Sequence, residues 1–154
     1  MQKFIVIGVG EFDAKDDTTF EDEDLFNIDE FEPLDFVANK ANEISIALEE
    51  TGLAPVGSNP ILHPSYADLK DALKEARGGR MANSAAVIHY IGHGIADSEL
   101  GVLHLPARDT DLEELGDTSV DVGALINAIE SNQRGPHSGH GHPTLQADYH
   151  LACR

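Results

Sequence analysis

The residue best suited to chemistry is His93, which stands between Gly92 and Gly94 directly after the apolar run Ala85 to Ile91. An imidazole titrates near neutrality, so a histidine can take a proton and return it under mild conditions. Glycine on each side lets the backbone turn sharply and leaves the ring unshielded. The sequence leaves open a second reading, in which a turn histidine has glycine neighbours for backbone reasons alone. In an open α/β sheet, reactive groups gather beyond the carboxyl ends of the strands, and a residue closing an apolar strand belongs there. Cys153 is the single cysteine of the chain, and a lone cysteine is either inert or chemically used. One cysteine cannot form an intramolecular disulfide, which excludes a stapled secreted scaffold.

Other constellations are weaker. His137, His140, His142, His150 and Cys153 have donor types that suit zinc or nickel, but their spacing matches no closed structural site, and no metal is expected. Gly8-Val9-Gly10 lacks the third glycine of a dinucleotide fingerprint and leads into an acidic segment, so no cofactor is expected. Twelve of the 25 residues from Glu11 to Asp35 are acidic, without the glycine pattern of an EF-hand. They read as a solvated loop. His89 reads as facing a covering helix or the sheet's polar edge, and His63 and His104 belong to no constellation.

The elements that must position His93 follow from periodicity. Phe4 to Val9 is a continuous apolar, β-branched run, as expected of a parallel strand covered on both faces. Leu34, Val37, Ala38, Ala41, Ile44 and Leu48 fall at helical spacing, and Gly52 supplies the stop. Leu53 to Val56 reads as a short strand, placed at an edge by Pro55. Ser65 with Asp68 is a cap for a second helix through Leu69, Leu73 and Ala76, closed by Gly78-Gly79. Ala85 to Ile91 is the next buried strand. Gly101 to Leu105 is a short strand or hairpin arm, Asp109 to Asp117 an acidic loop, and Val122, Leu125, Ile126 and Ile129 a third helix capped by Asp121 or Ser119. This alternation predicts an α/β domain over residues 1–136, with the acidic loop at 11–33, and a histidine-rich, disordered tail over 137–154.

At 154 residues and 41% hydrophobic, the chain suits one domain with one core. It has no apolar stretch of membrane-span length and no signal-peptide pattern at the N-terminus, so a cytoplasmic protein is expected. A formal charge of −18 opposes nucleic acid and anionic lipid as partners and favours basic peptide.

Tyr90-Ile91-Gly92-His93-Gly94, closing an apolar strand after two α/β units, resembles the histidine motif of the caspase-like cysteine peptidases, particularly the bacterial relatives of caspases and metacaspases. The opening Phe4 to Phe12 is similar to that family's first strand and following loop, and Leu34 to Gly52 to its first helix. Relatives commonly carry Asn-Asp-Ala in that helix, whereas this chain has Asn39-Lys40-Ala41. The resemblance covers about residues 3–133. It implies a three-layer α/β sandwich with a mostly parallel sheet, truncated at its C-terminal side, and a cysteine endopeptidase acting on peptide or protein through a His/Cys dyad. It also implies His93 as general base, the Gly94 backbone amide as oxyanion donor, and a nucleophile at the end of the strand beside that of His93, for which Cys153 is the candidate. The alternative from another class is a non-catalytic caspase-like module that binds a partner through its crevice or open sheet edge.

Cys153 follows Gln146 to Ala152, which has no aliphatic run and whose nearest acid is five positions before the cysteine, unlike the family's pattern. Three accounts stay open: an intact peptidase in this 154-residue form, a fragment or partner-dependent half of an enzyme, and a tail out of register with the ancestral coding sequence. The last predicts an apolar strand followed by Cys-x-Gly in another reading frame beyond the codon for His137. Sequencing the gene and translating all three frames checks it.

Overall fold

The computed structural model describes residues 2–13, 31–77, 86–98 and 100–133. β1 (Lys3–Val9) is the centre of a parallel sheet, and Phe4 to Val9 are buried throughout. β4 (Ala86–Gly92) pairs with it in parallel from Lys3↔Ala86 to Val9↔Gly92. The other side of β1 is shared end to end by two short strands, β2 (Ala54–Pro55) against Lys3 and Phe4 and β3 (Ile61–Leu62) against Ile7 and Gly8. Pro55 thus lies on the edge, as its missing N–H requires.

The gap between β2 and β3 is closed by a side chain. Asn59 Oδ1 accepts from the Val6 N–H at 2.7 Å, and Asn59 Nδ2 donates to Ser45 Oγ at 2.8 Å. Ser45 is buried on α1 (Val37–Glu50), so one amide ties sheet to helix.

Successive residues of β1 point to opposite faces, and each face is covered. Phe4 and Val6 pack with Val37 and Ala41 of α1 and with Ile91 of β4. Ile5, Ile7 and Val9 pack with Leu69, Leu73 and Ala76 of α2 (Tyr66–Arg77). α1 ends as its glycine predicts. Gly52 has φ +85°, its N–H bonds Glu49 O, and the Leu53 N–H returns to Leu48 O, which is a Schellman motif. α2 begins at the expected cap: the Asp68 N–H donates to Ser65 Oγ at 3.2 Å, and the Ser65 hydroxyl donates to the Asp68 carboxylate at 2.7 Å.

After β4 the chain departs from a mostly parallel design. β5 (Ile95–Asp97), β6 (Val102–Pro106) and β7 (Ser119–Asp121) form a separate antiparallel sheet with β6 in the middle. Leu105, Ala107 and Val120 feed the core on the α2 side. The Tyr90 hydroxyl fastens this sheet to β4 by donating to Pro106 O at 2.8 Å. The expected acidic loop Asp109 to Asp117 is instead a 3-10 turn, Leu112–Glu114, running into α3 (Leu115–Thr118). Local polar bonds override its composition: Asp111 Oδ1 accepts from the Glu113 N–H at 2.9 Å, and Thr118 Oγ1 bonds the Asp111 N–H and O. α4 (Val122–Gln133) then starts with Asp121 capping the Ala124 N–H at 2.9 Å and sends Leu125 into the core on the α2 side.

The ends of the expected solvated loop 11–33 are not all solvated, because Phe12 packs against the core. Its centre, 14–30, and the tail 137–154 with Cys153 lie outside the described residues. Among the described residues no strand pairs with the outer edge of β4, and no helix is long and apolar enough to cross a membrane.

Asn59→Ala should strand the buried Val6 N–H and lower the unfolding free energy by about 1–3 kcal/mol. A lower urea midpoint at unchanged m-value is the expected reading.

Candidate functional site

Parallel strands bring their carboxyl ends to one rim, and here those ends belong to β1, β3 and β4. β1 delivers Gly10 to Asp13, β3 delivers His63, and β4 delivers His93 and Gly94. The loop after β6 closes one side of this rim through its backbone. The Arg108 N–H donates to Pro64 O, and Arg108 O accepts from the Asp13 N–H, both at 2.9 Å. The Arg108 guanidinium also meets the Asp13 carboxylate at 3.2 Å. Asp109 Oδ1 accepts from the Tyr66 N–H at 2.6 Å and so fixes the head of α2 against the same loop.

His93 is partly buried at this rim, beside a pair of touching aromatic rings. Its centroid lies 5.6 Å from Phe12 and 5.3 Å from Phe31, and the two phenylalanines are 4.5 Å apart. Nε2 is 2.9 Å from Glu32 O. A carbonyl oxygen can only accept, so Nε2 carries the proton. The neutral ring is therefore the Nε2–H tautomer, with its lone pair on Nδ1. Such a ring is held by two tilted aromatic contacts and one hydrogen bond, and it offers Nδ1 as a base.

Gly92 serves a different purpose from the sharp turn its sequence context suggests. It is the last residue of β4, and a Cβ there would stand 2.8 Å from Val9 O and 2.7 Å from the Tyr90 hydroxyl. Space, rather than φ, demands glycine. Gly8 and Gly10 are explained in the same way. A Cβ on Gly8 would meet Val37 Cγ1 at 2.8 Å, and one on Gly10 would meet Leu34 O at 2.5 Å. The Gly-Val-Gly run makes room for α1 and for residues 31–34, which the Leu34 N–H anchors to Gly10 O at 2.8 Å.

His63 belongs to this rim, contrary to the expectation that it had no constellation. It has φ +48°, its N–H donates to Gly8 O at 2.7 Å, and its Nδ1 accepts from the N–H groups of both Gly10 and Glu11 at 3.1 Å. Its Nε2 lies 3.7 Å from Glu11 Oε1. No sequence pattern marks it, because the pairing depends on β3 ending beside the end of β1. His104 does have a partner, in the antiparallel sheet. It is buried on β6, and the Ser119 hydroxyl, which gives its proton to Leu115 O, accepts from His104 Nδ1 at 2.9 Å. That is a structural bond within the antiparallel sheet, where His104 pairs with Ile95. Cys153 and the tail histidines lie outside the described residues, and among the described residues no group of three or more His, Cys, Asp or Glu could hold a metal ion.

No protein-family model matches the chain, and comparison with curated proteins gives no match.

Gly10→Ala should push Leu34 O from its place and loosen the segment that holds Glu32 O on His93. Overpacking of this kind costs about 1–3 kcal/mol, to be read as a lower urea midpoint. A parallel shift in the His93 ring resonances is the expected local sign.

Proposed function

We propose that this chain carries the histidine-bearing part of a caspase-like cysteine peptidase, with His93 as the general base. The observation that carries this reading is the bond from His93 Nε2–H to Glu32 O, which leaves Nδ1 as the proton acceptor at the carboxyl end of β4. A positive charge gained at Nδ1 is stabilised through the same carbonyl, because the Nε2–H bond strengthens when its donor becomes cationic.

The sheet's handedness supports a place for the nucleophile. The crossover from β1 to β2 carries α1 on one face, and that from β3 to β4 carries α2 on the other face while travelling the opposite way. Both therefore have the same hand. α4 joins the core on the α2 face, so a crossover of that hand from β4 continues outward and sets the following strand on the open edge of β4. A cysteine closing that strand would stand next to His93. Cys153, 20 residues beyond the end of α4, is the candidate.

In the proposed reaction Nδ1 takes the thiol proton and the sulfur attacks the peptide carbonyl, with the Gly94 amide as oxyanion donor. The carbon–nitrogen bond breaks as the imidazolium protonates the leaving amine. Water then gives its proton to Nδ1, its oxygen replaces the sulfur at the acyl carbon, and the proton returns to the thiolate. Exposed Glu11 and Glu32 at the rim, together with the net charge of −18, suit a basic peptide as substrate.

Alkylation by iodoacetamide near pH 7 tests the pair. An activated Cys153 should react about tenfold faster than free cysteine, and His93→Ala should abolish that advantage. Equal, slow labelling of both proteins would defeat the peptidase reading and leave the partner-binding module.

A further inference from the structure

We infer that His63 is a proton-operated latch on two backbone amides: neutral, it holds the N–H groups of Gly10 and Glu11, next to the Phe12 that packs on His93; protonated, it gives up both, while the Leu34 N–H on Gly10 O and the Asp13 N–H on Arg108 O keep the ends of the segment in place. The latch is a single atom. Nδ1 of His63 accepts from two backbone N–H groups, those of Gly10 and Glu11, each at 3.1 Å. It can do so only with its lone pair free, which fixes the neutral ring as the Nε2–H tautomer. A proton added at Nδ1 would set an N–H against two N–H groups. Both bonds are then lost together, and the ring must turn away.

The surroundings give the charged ring somewhere to go. The Glu11 carboxylate, exposed to solvent, lies 3.7 Å from Nε2 and is the charged group in contact with the ring. The charged groups on the flanking elements are engaged elsewhere: Asp13 with Arg108, Asp109 with the Tyr66 N–H, and Asp68 with Ser65. Acid therefore exchanges a backbone latch for an exposed ion pair with Glu11, which contributes little.

The latch reaches the candidate base through two residues. Glu11 supplies one of the latched amides, and Phe12 follows it, packed against Phe31 and His93. His63 touches neither substrate nor the reacting atoms and is a positioning residue. Its φ of +48° belongs to the region in which asparagine is the best tolerated replacement after glycine. Asparagine also offers Oδ1 as an acceptor at about the place of Nδ1, and that oxygen does not titrate in this range.

These two properties define the test. Amide hydrogen exchange of Gly10 and Glu11, corrected for the intrinsic pH dependence of exchange, is measured in the full chain between about pH 5 and pH 8, the interval in which histidine changes charge. In the wild type, protection of both amides should fall by about tenfold towards the acid end, with the Phe12 ring resonances shifting over the same interval. His63→Asn should keep protection and lose its pH dependence, and His63→Ala should lose protection at every pH. Protection in the wild type that is flat with pH, or that varies equally in His63→Asn, would overturn the latch. The consequence for His93 rests on the peptidase reading. The exchange readout involves neither Cys153 nor turnover, so the latch and the peptidase reading can fail separately.

Discussion

Everything in this structure answers to the burial of β1. Its side chains from Phe4 to Val9 are covered on both faces, so no backbone group there can turn to water. β4 satisfies one side along its whole length. The other side meets only two-residue strands, and the shortfall is made good by side chains. Asn59 takes the Val6 N–H in the middle, and His63 takes those of Gly10 and Glu11 at the end. Two polar residues in irregular segments thus do what a longer edge strand would do, and each occupies a place where hydrophobic patterning has no say.

The same constraint shapes the rim. A strand with no exposed surface must release its chain abruptly, and β1 does so between two helices that crowd it. Gly8 and Gly10 let α1 and Leu34 come close, which brings Phe31 and Glu32 within reach of His93. The aromatic and carbonyl contacts of the histidine are consequences of close packing around the exit of β1. Remove the glycines and the base loses its orientation before any residue of the site has changed.

Much of this was legible in the sequence, and what was not has a common cause. The apolar runs of β1 and β4, the helical stripe of α1 with its Gly52 stop, and the Ser65–Asp68 cap are local signals, and each element lies where its signal falls. The Asp111 cap of the 3-10 turn before α3 is also local, yet the density of acids from Asp109 to Asp117 hid it. Composition argues for solvation, while Asp111 and Thr118 bond the nearby backbone instead. The antiparallel sheet was visible only as one arm, because strands of three residues have no period to read. His63 and Asn59 were invisible for a stronger reason. Their partners on and just after β1 lie more than 50 residues away, and the interaction exists only once β3 has been set beside β1.

The two histidines flanking β1 end up with opposite polarity, and that difference follows from which backbone group each one meets. His93 meets a carbonyl, so it must donate from Nε2 and keeps a lone pair on Nδ1. His63 meets amides, so it must accept at Nδ1 and keeps an N–H on Nε2. Added acid strikes them unequally. A proton on His93 enters an acceptor that no partner among the described residues engages, and the Glu32 carbonyl bond survives with a stronger donor. A proton on His63 enters an acceptor already in use, and both of its bonds are lost. The candidate base can therefore cycle through its charged form without disturbing its anchor, whereas its neighbour across β1 cannot be charged without giving up the Gly10 and Glu11 amides that precede Phe12. One rim thus combines a histidine built to carry a proton with one whose neutrality is structural.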